Sequence, residues 1–481
     1  MSSPLDPLPR NSWNQRRARH LINRAGFGEG SIPVSSSELS RMPLSRAVDG
    51  FLNFDKTPDQ VDEPDFLPDK LGFHTYRKQL KDEHPDNKEK RKEKLNEYKK
   101  EHRKARRRLR SWWLKRMHRT HTPLREKLAL FWHGHFATED RKVKNARWNY
   151  QLNDIFRRTG AGNLKELTFQ VAKSPAMLRY LDNDQNRKKH PNENWSRELM
   201  ELHTLGLGHY TEDDVLESAR AFTGWTIKNG EFHYRESWHD KGEKHFLNQS
   251  GDFNGTDIIR IIFQQKPVSG FLALKLLKYF AERKPEPEVI RALAEKLWNE
   301  NYELKPALRT LFRSRYFYSE QVMESHVKSP VQLVVGLLNH LQLEPDRKGY
   351  RYLTSVLKRI GQDLFNPPNV KGWDGNREWV NTSTLLHRYN LPETLIFGNK
   401  LPDPPVASLF SFPRANSPED VLNRLSDHLL VGDLNDDQEE TLLGLLNSDG
   451  GGQKFNPDQH PDQRLKKSLL VMLSSPEYQI C

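Results

Sequence analysis

Cysteine is nearly absent from this chain: of 481 residues only the last, Cys481, is one. An intramolecular disulfide is excluded, and so is any zinc site built from thiolates, so a bound metal would have to be held by histidine and carboxylate. Long apolar runs are missing too. No stretch reaches the roughly 18 residues that a transmembrane helix needs, and the first residues lack the charged-then-apolar pattern of a secretory signal. The expectation is a protein without a membrane span that stays in the cytoplasm, where it is made. Hydrophobic residues make up 35% and charged residues 29%, against about 45–50% apolar residues in a typical domain, so much of the chain is solvated surface and loop. A phosphate-binding glycine loop is not supported either. Gly26 and Gly28 end a short helical stretch that begins near Trp13, whereas such a loop follows a strand.

What the chain has is a strongly localised positive charge. Arg77 to Thr120 contains 19 Lys and Arg against 7 Asp and Glu, an excess equal to the +12 of the whole chain. Glu89, Glu93, Glu97 and Glu101 recur every fourth residue among these cations, a spacing that supports a long solvated helix through i,i+4 pairs. Arg106, Arg107 and Arg108 beside Trp112 and Trp113 join guanidinium to indole, the combination that engages phosphates and stacked rings. The first expectation for this segment is an exposed charged helix with no ligand, and the second is binding to a polyanion, either an acidic polymer or an anionic surface.

Elsewhere the pattern is helical, and the expected fold class is mainly α: a multi-helical globular body with a small β-hairpin and long structured loops. Composition divides the chain into an N-terminal helical segment (1–76), a basic charged helix (77–120), a helical core (121–400), a proline-rich linker (401–418) and C-terminal helices packing on the core (419–481). The brief alternation of Phe232 to Trp238 predicts the hairpin. Thr211 with Asp214 reads as a capping box opening a helix, along which Ala219, Phe222 and Trp225 point inward.

Asn192 to Tyr210 concentrates the chemistry of the core. At about 100° per residue, a helix from Glu193 places Asn194, Arg197, Glu198 and Glu201 on one arc, with Trp195, Leu199 and Leu202 on the arc beside it. His203 then points about 160° away from Glu201 and is expected to pack elsewhere. His133-Gly-His135 ends another helix between Trp132 and Phe136. Two residues two apart on a helix diverge by about 200°, so both imidazoles converge only if the chain breaks at Gly134 or is extended there. His239, Asp240 and Lys244 lie in a polar loop, and Trp373 in the long loop Gly361 to Trp379 needs a packing partner.

Five segments together carry a family resemblance: Arg17 to Gly28, Phe131 to Phe136, Asn192 to Gly206, Ala219 to Trp225 and Gly361 to Trp379. With Ser475 to Tyr478 they resemble, in order along the chain, the signature segments of the bacterial domain of unknown function 1800 family. The resemblance implies a mostly helical protein, often exported and often encoded beside a partner that is alkaline-phosphatase-like or sulfatase-like. The chain departs from the pattern at Lys266-Pro267, where members commonly carry histidine before the proline, so that histidine is not required here.

Two functional expectations follow. The first is a metal-assisted hydrolase of a carbohydrate or of a phosphate or sulfate ester. His133, His135 and Glu201 would hold a divalent metal, Glu198 would be the general base and Arg197 would orient an anionic substrate or pair with Glu193. His239 and Asp240 would approach from the loop, and Asn194, Glu193, Lys244, Trp225 and Trp373 would support the site or the substrate. The second is a non-catalytic protein binding a partner protein or an acidic polymer through its basic helix, with Asn194, Arg197, Glu198 and Glu201 as a structural network.

Overall fold

The computed structural model describes residues 3–57, 62–405, 417–447 and 461–481. Helices dominate it, accompanied by two small antiparallel hairpins. Residues 406–416 of the expected linker lie outside the described residues.

The longest element is the basic helix itself. Lys88–Arg119 (α5) runs 32 residues, about 48 Å at 1.5 Å per residue. Its sequence holds no glycine, proline or β-branched residue, so nothing in it opposes the helix. Asn87 caps the start by accepting from the amide of Lys90 at 2.8 Å. The helix changes character along its length. The N-terminal half pairs with Phe73–Glu83 (α4) as a hairpin, while the C-terminal half drives Leu109, Trp113, Leu114 and Met117 into the core. Pro123–His135 (α6) follows with proline at its first turn, where the missing amide costs nothing.

The core is one connected body of apolar side chains from Leu5 to Tyr478. At the N-terminal end, Gln15–Ala25 (α1) and Leu44–Leu52 (α3) pack against α6, and Ser36–Ser40 (α2) packs on α1 and α3. Where α5, α6 and the Ala146–Thr159 helix meet, Glu126 lies fully buried. Arg116 Nε donates to its carboxylate at 2.8 Å and Arg157 Nε at 2.6 Å, and Trp113 Nε1 completes the set at 2.9 Å. A second ionic knot ties α5 to the chain after α6. Asp140 accepts from Arg106 at 3.1 Å, Arg110 at 2.7 Å and Asn149 at 3.1 Å, and Arg110 also reaches Asp363 at 3.0 Å.

Trp225–Lys228 (β1) pairs with Glu231–Tyr234 (β2), and Lys244–Phe246 (β3) with Gln249–Gly251 (β4). The first turn is Asn229-Gly230, both at positive φ, the pairing that a tight hairpin turn demands. The alternation from Phe232 onward predicts one hairpin; the described residues form two, and Trp225 begins the first instead of continuing a helix. The capping box of Thr211 with Asp214 forms as its spacing predicts.

Candidate functional site

The Asn192 to Tyr210 segment is not one regular helix. Asn194–Glu198 is α-helical, after which Leu199–Thr204 widens into a π-helix. The Thr204 hydroxyl donates to the Leu199 carbonyl, and the Leu205 amide reaches Met200, each five residues back. Gly206 and Gly208 then turn the chain at positive φ, a conformation that other residues adopt only with strain. A single turn of π-helix widens the local pitch and re-aims the side chains within it, and such turns are frequent at functional sites.

This geometry splits the segment into an outer and an inner face. Outside, Arg197 forks onto Glu212 at 2.8 Å through two nitrogens and reaches Glu193 at 3.0 Å. These groups are largely solvated, so the pairs add little stability. Asn194 is exposed, and Glu198 and Glu201 are half-buried. Tyr210 donates to Glu201 at 3.3 Å. Burial first, and the neighbouring Glu201 carboxylate second, raise the Glu198 carboxyl above its ordinary value.

Inside, Trp195 and His203 are buried. His135 meets His203 and not Glu201: its Nε2 donates to the His203 carbonyl at 3.0 Å, with the two rings 5.6 Å apart. Lys275, half-buried over Phe271, lies within electrostatic reach of both imidazoles. Burial and then this amine push His203 down to about 3. His133 leaves the opposite side of α6, because the helix runs unbroken through Gly134. Its ring packs among Trp113, Phe365 and Trp373, and burial, with Arg110 next, holds it down to about 3. The structure therefore brings neither histidine of His133-Gly-His135 to Glu201. Among the described residues no group of three or more His, Cys, Asp or Glu side chains is placed to hold a metal ion.

Trp373 finds its partner here. Gly372 lies so close to α6 that an added Cβ would sit 2.0 Å from the Gly134 carbonyl, and the indole beside it covers His133. In the hairpin region, Arg220 donates to Asp240 at 2.9 Å and to Glu217, while the Asp240 carboxylate also takes the Gly242 amide. Lys244 is fully buried and donates to the Asp240 carbonyl and to Asp252. His239 Nδ1 bonds to Thr223, and Trp225 packs edge-on against Phe222. His239, Asp240, Lys244 and Trp225 thus hold the hairpins to the Glu212–Ala221 helix and the turn after it.

On the basic helix the expected arginine and indole surface needs correction. Trp113 is wholly enclosed and Trp112 nearly so, because both fall on the face of α5 that meets the core. Arg106 is consumed by Asp140, and Arg108 lies over Phe66 and beside Asp65. Of the five residues expected there, only Arg107 is exposed with no charge partner among the described residues.

A family model described as "Protein of unknown function (DUF1800)" matches residues 20–480. The chain belongs to the DUF1800 family. No curated protein and no solved structure matches it.

Three side chains of this DUF1800 protein take positions that no local sequence pattern marks. Helical phase turns His203 away from Glu201, and that inward direction is what places it beside His135. Lys275 and Tyr210 lie 72 and 9 residues from His203 and Glu201, and nothing local to the sequence links Lys275 to the pair. The adjacent Thr204-Leu-Gly-Leu-Gly run was the available signal for an irregular helix end, since a hydroxyl can bond backward along the helix while the glycines release the chain.

Proposed function

We propose that this DUF1800 protein is a helical binding protein that engages an acidic polymer through the exposed half of α5. The observation that carries this reading is the unequal fate of the cations along one helix. Toward the C-terminal end Arg106, Arg110 and Arg116 are consumed by Asp140, Asp363 and Glu126. Toward the N-terminal end Lys88, Lys92, Lys99 and Arg103 are exposed and form no ion pair among the described residues. On a helical projection these four share an arc of about 60° and span about 22 Å, and the acidic row from Glu89 to Glu101 falls on the adjacent flank. A rigid cationic stripe with no large exposed apolar side chain on α4 or α5 suits a linear polyanion held by its charges.

The test is binding of heparin oligosaccharide and of duplex DNA to the full chain across a range of salt. Affinity should fall linearly in logarithmic salt, and combining Lys92→Glu, Lys99→Glu and Arg103→Glu should weaken it by about tenfold or more. Salt-independent binding, or binding untouched by the three reversals, removes this reading.

One observation favours a second reading, in which Glu198 transfers a proton in a hydrolytic reaction: its half-buried carboxyl stands beside Glu201, within reach of solvent. In that case Glu198→Gln abolishes turnover of a carbohydrate or ester substrate while leaving the fold intact. The metal-assisted form adds a stoichiometric divalent ion in the purified protein that His135→Ala and Glu201→Ala each release. Neither the geometry of His133 nor that of His135 favours this form.

A further inference from the structure

A cavity of about 320 Å³ lies between the N-terminal strap, residues 7–13, and the α2–α3 turn, and none of its lining residues belongs to either site above. Three arginines from three separate parts of the chain line it: Arg10 of the strap, Arg41 at the end of α2 and Arg313 at the end of the Leu304–Arg313 helix. None of the three guanidiniums forms an ion pair or hydrogen bond among the described residues, and no carboxylate lines the cavity. The acids that could neutralise them are engaged elsewhere. Asp6 pairs with Arg315, Asp49 with Arg309, and Glu38 turns back onto Ser35.

The walls are built and held. The Leu8 amide donates to the Arg313 carbonyl at 2.8 Å, and Trp13 Nε1 donates to the Met42 carbonyl at 3.1 Å, with the indole edge-on to Tyr318. Trp13 and Met42 give one side an apolar surface. Ser45, in the first turn of α3, adds a hydroxyl that makes no hydrogen bond among the described residues, and Pro43 before it supplies no side-chain cap. Gathering three like charges around a concavity is unfavourable unless solvent or an anion compensates them. Guanidinium is the group best matched to a tetrahedral oxyanion, because its planar fork gives two parallel donors.

We propose that this cavity binds a small molecule bearing a phosphate or sulfate ester, its oxyanion held by Arg10, Arg41 and Arg313 and its organic body lying on Trp13 and Met42. A volume near the lower end for ligand pockets admits a body of monosaccharide size. The oxyanion supplies the charge that the lining lacks, and the flat indole face suits a sugar ring or another compact body. This site is separate from the α5 stripe and does not depend on it.

The experiment is calorimetric titration of the full chain with a hexose 6-phosphate and a hexose 6-sulfate, with inorganic phosphate, inorganic sulfate and the unmodified hexose alongside. At least one ester should bind saturably and more tightly than its inorganic ion, and the comparison of the two shows which oxyanion the site takes. Arg10→Ala and Arg41→Ala, both at exposed positions, should each weaken the ester by about tenfold while leaving the circular dichroism unchanged. The triple reversal on α5 should leave ester binding intact. No saturable heat from either ester at millimolar concentration overturns the proposal, and so does an affinity that Arg10→Ala and Arg41→Ala leave unchanged or that the α5 reversals abolish.

Discussion

Replacing Glu126 with glutamine should be among the most damaging single changes in this protein. The carboxylate is fully enclosed and answers two buried guanidiniums, Arg116 and Arg157, together with the Trp113 indole. Burial alone would raise its pKa. Arg157 first and Arg116 second reverse that and hold it at about 2 against an ordinary 4.5, which corresponds to about 3 kcal/mol of stability at neutral pH. Glutamine keeps the shape but leaves two arginines in the core facing one neutral amide, and breaking a buried pair in this way costs about 3–5 kcal/mol. Urea unfolding followed by tryptophan fluorescence should show the loss as a lower midpoint. The pH dependence gives an independent check. The folded pKa is depressed, so the stabilisation is complete above about 4.5 and fades as pH falls through about 2. Wild type should lose stability across that window, and Glu126→Gln should lack this part of the slope. Adding Arg157→Met to Glu126→Gln should restore some stability by removing an unpaired charge. A variant within about 1 kcal/mol of wild type at pH 7, with the same acid limb, would refute the account of this triad.

Asp140→Ala should cost about 3 kcal/mol by urea unfolding, because Arg106 and Arg110 lose the carboxylate that ties α5 to the core; an effect no larger than that of a surface change would contradict the pairing. Gly372→Ala should destabilise by about 2 kcal/mol or more, since the new Cβ meets the Gly134 carbonyl at a residue of positive φ, and the change should register in Trp373 emission measured in a single-tryptophan difference experiment. Thr204→Val should cost about 1 kcal/mol through the lost bond to Leu199, and hydrogen exchange should quicken in Leu199–Thr204 before it does in α6. Burial pushes the Lys127 amine down to about 7 from 10.5. The unfolded chain then binds more protons between those values, stability rises with pH across the window, and Lys127→Met should flatten that rise.

Much of the helical architecture was legible because its signals are local. The absence of breakers from Lys88 to Arg119 requires a long helix, Thr211 with Asp214 requires a helix start, and proline at 123 opens α6. Asn229-Gly230 carries a hairpin signal as strong as any in the chain, and alternation read from Phe232 onward found the second strand while missing the first. The membership in the DUF1800 family was likewise visible in ordered segments.

The candidate sites were less legible, for a physical reason. Helical phase gives the direction in which a side chain leaves its own axis, and it correctly separates His203 from Glu201. It cannot tell which other element waits in that direction, so the meeting of His135 with His203, and of both with Lys275, is decided only by packing. The same limit governs charge. The sequence alone determines that the excess of cations lies between Arg77 and Thr120 and that acids recur there every fourth residue. Tertiary structure decides which of those cations are spent, because Asp140, Asp363 and Glu126 come from outside the segment. It also decides the arginine-lined cavity, whose three guanidiniums are scattered from position 10 to position 313 and share no periodicity. Composition and spacing act along the chain, whereas compensation of charge acts through space, and a cation's availability is a property of its neighbours in the folded molecule.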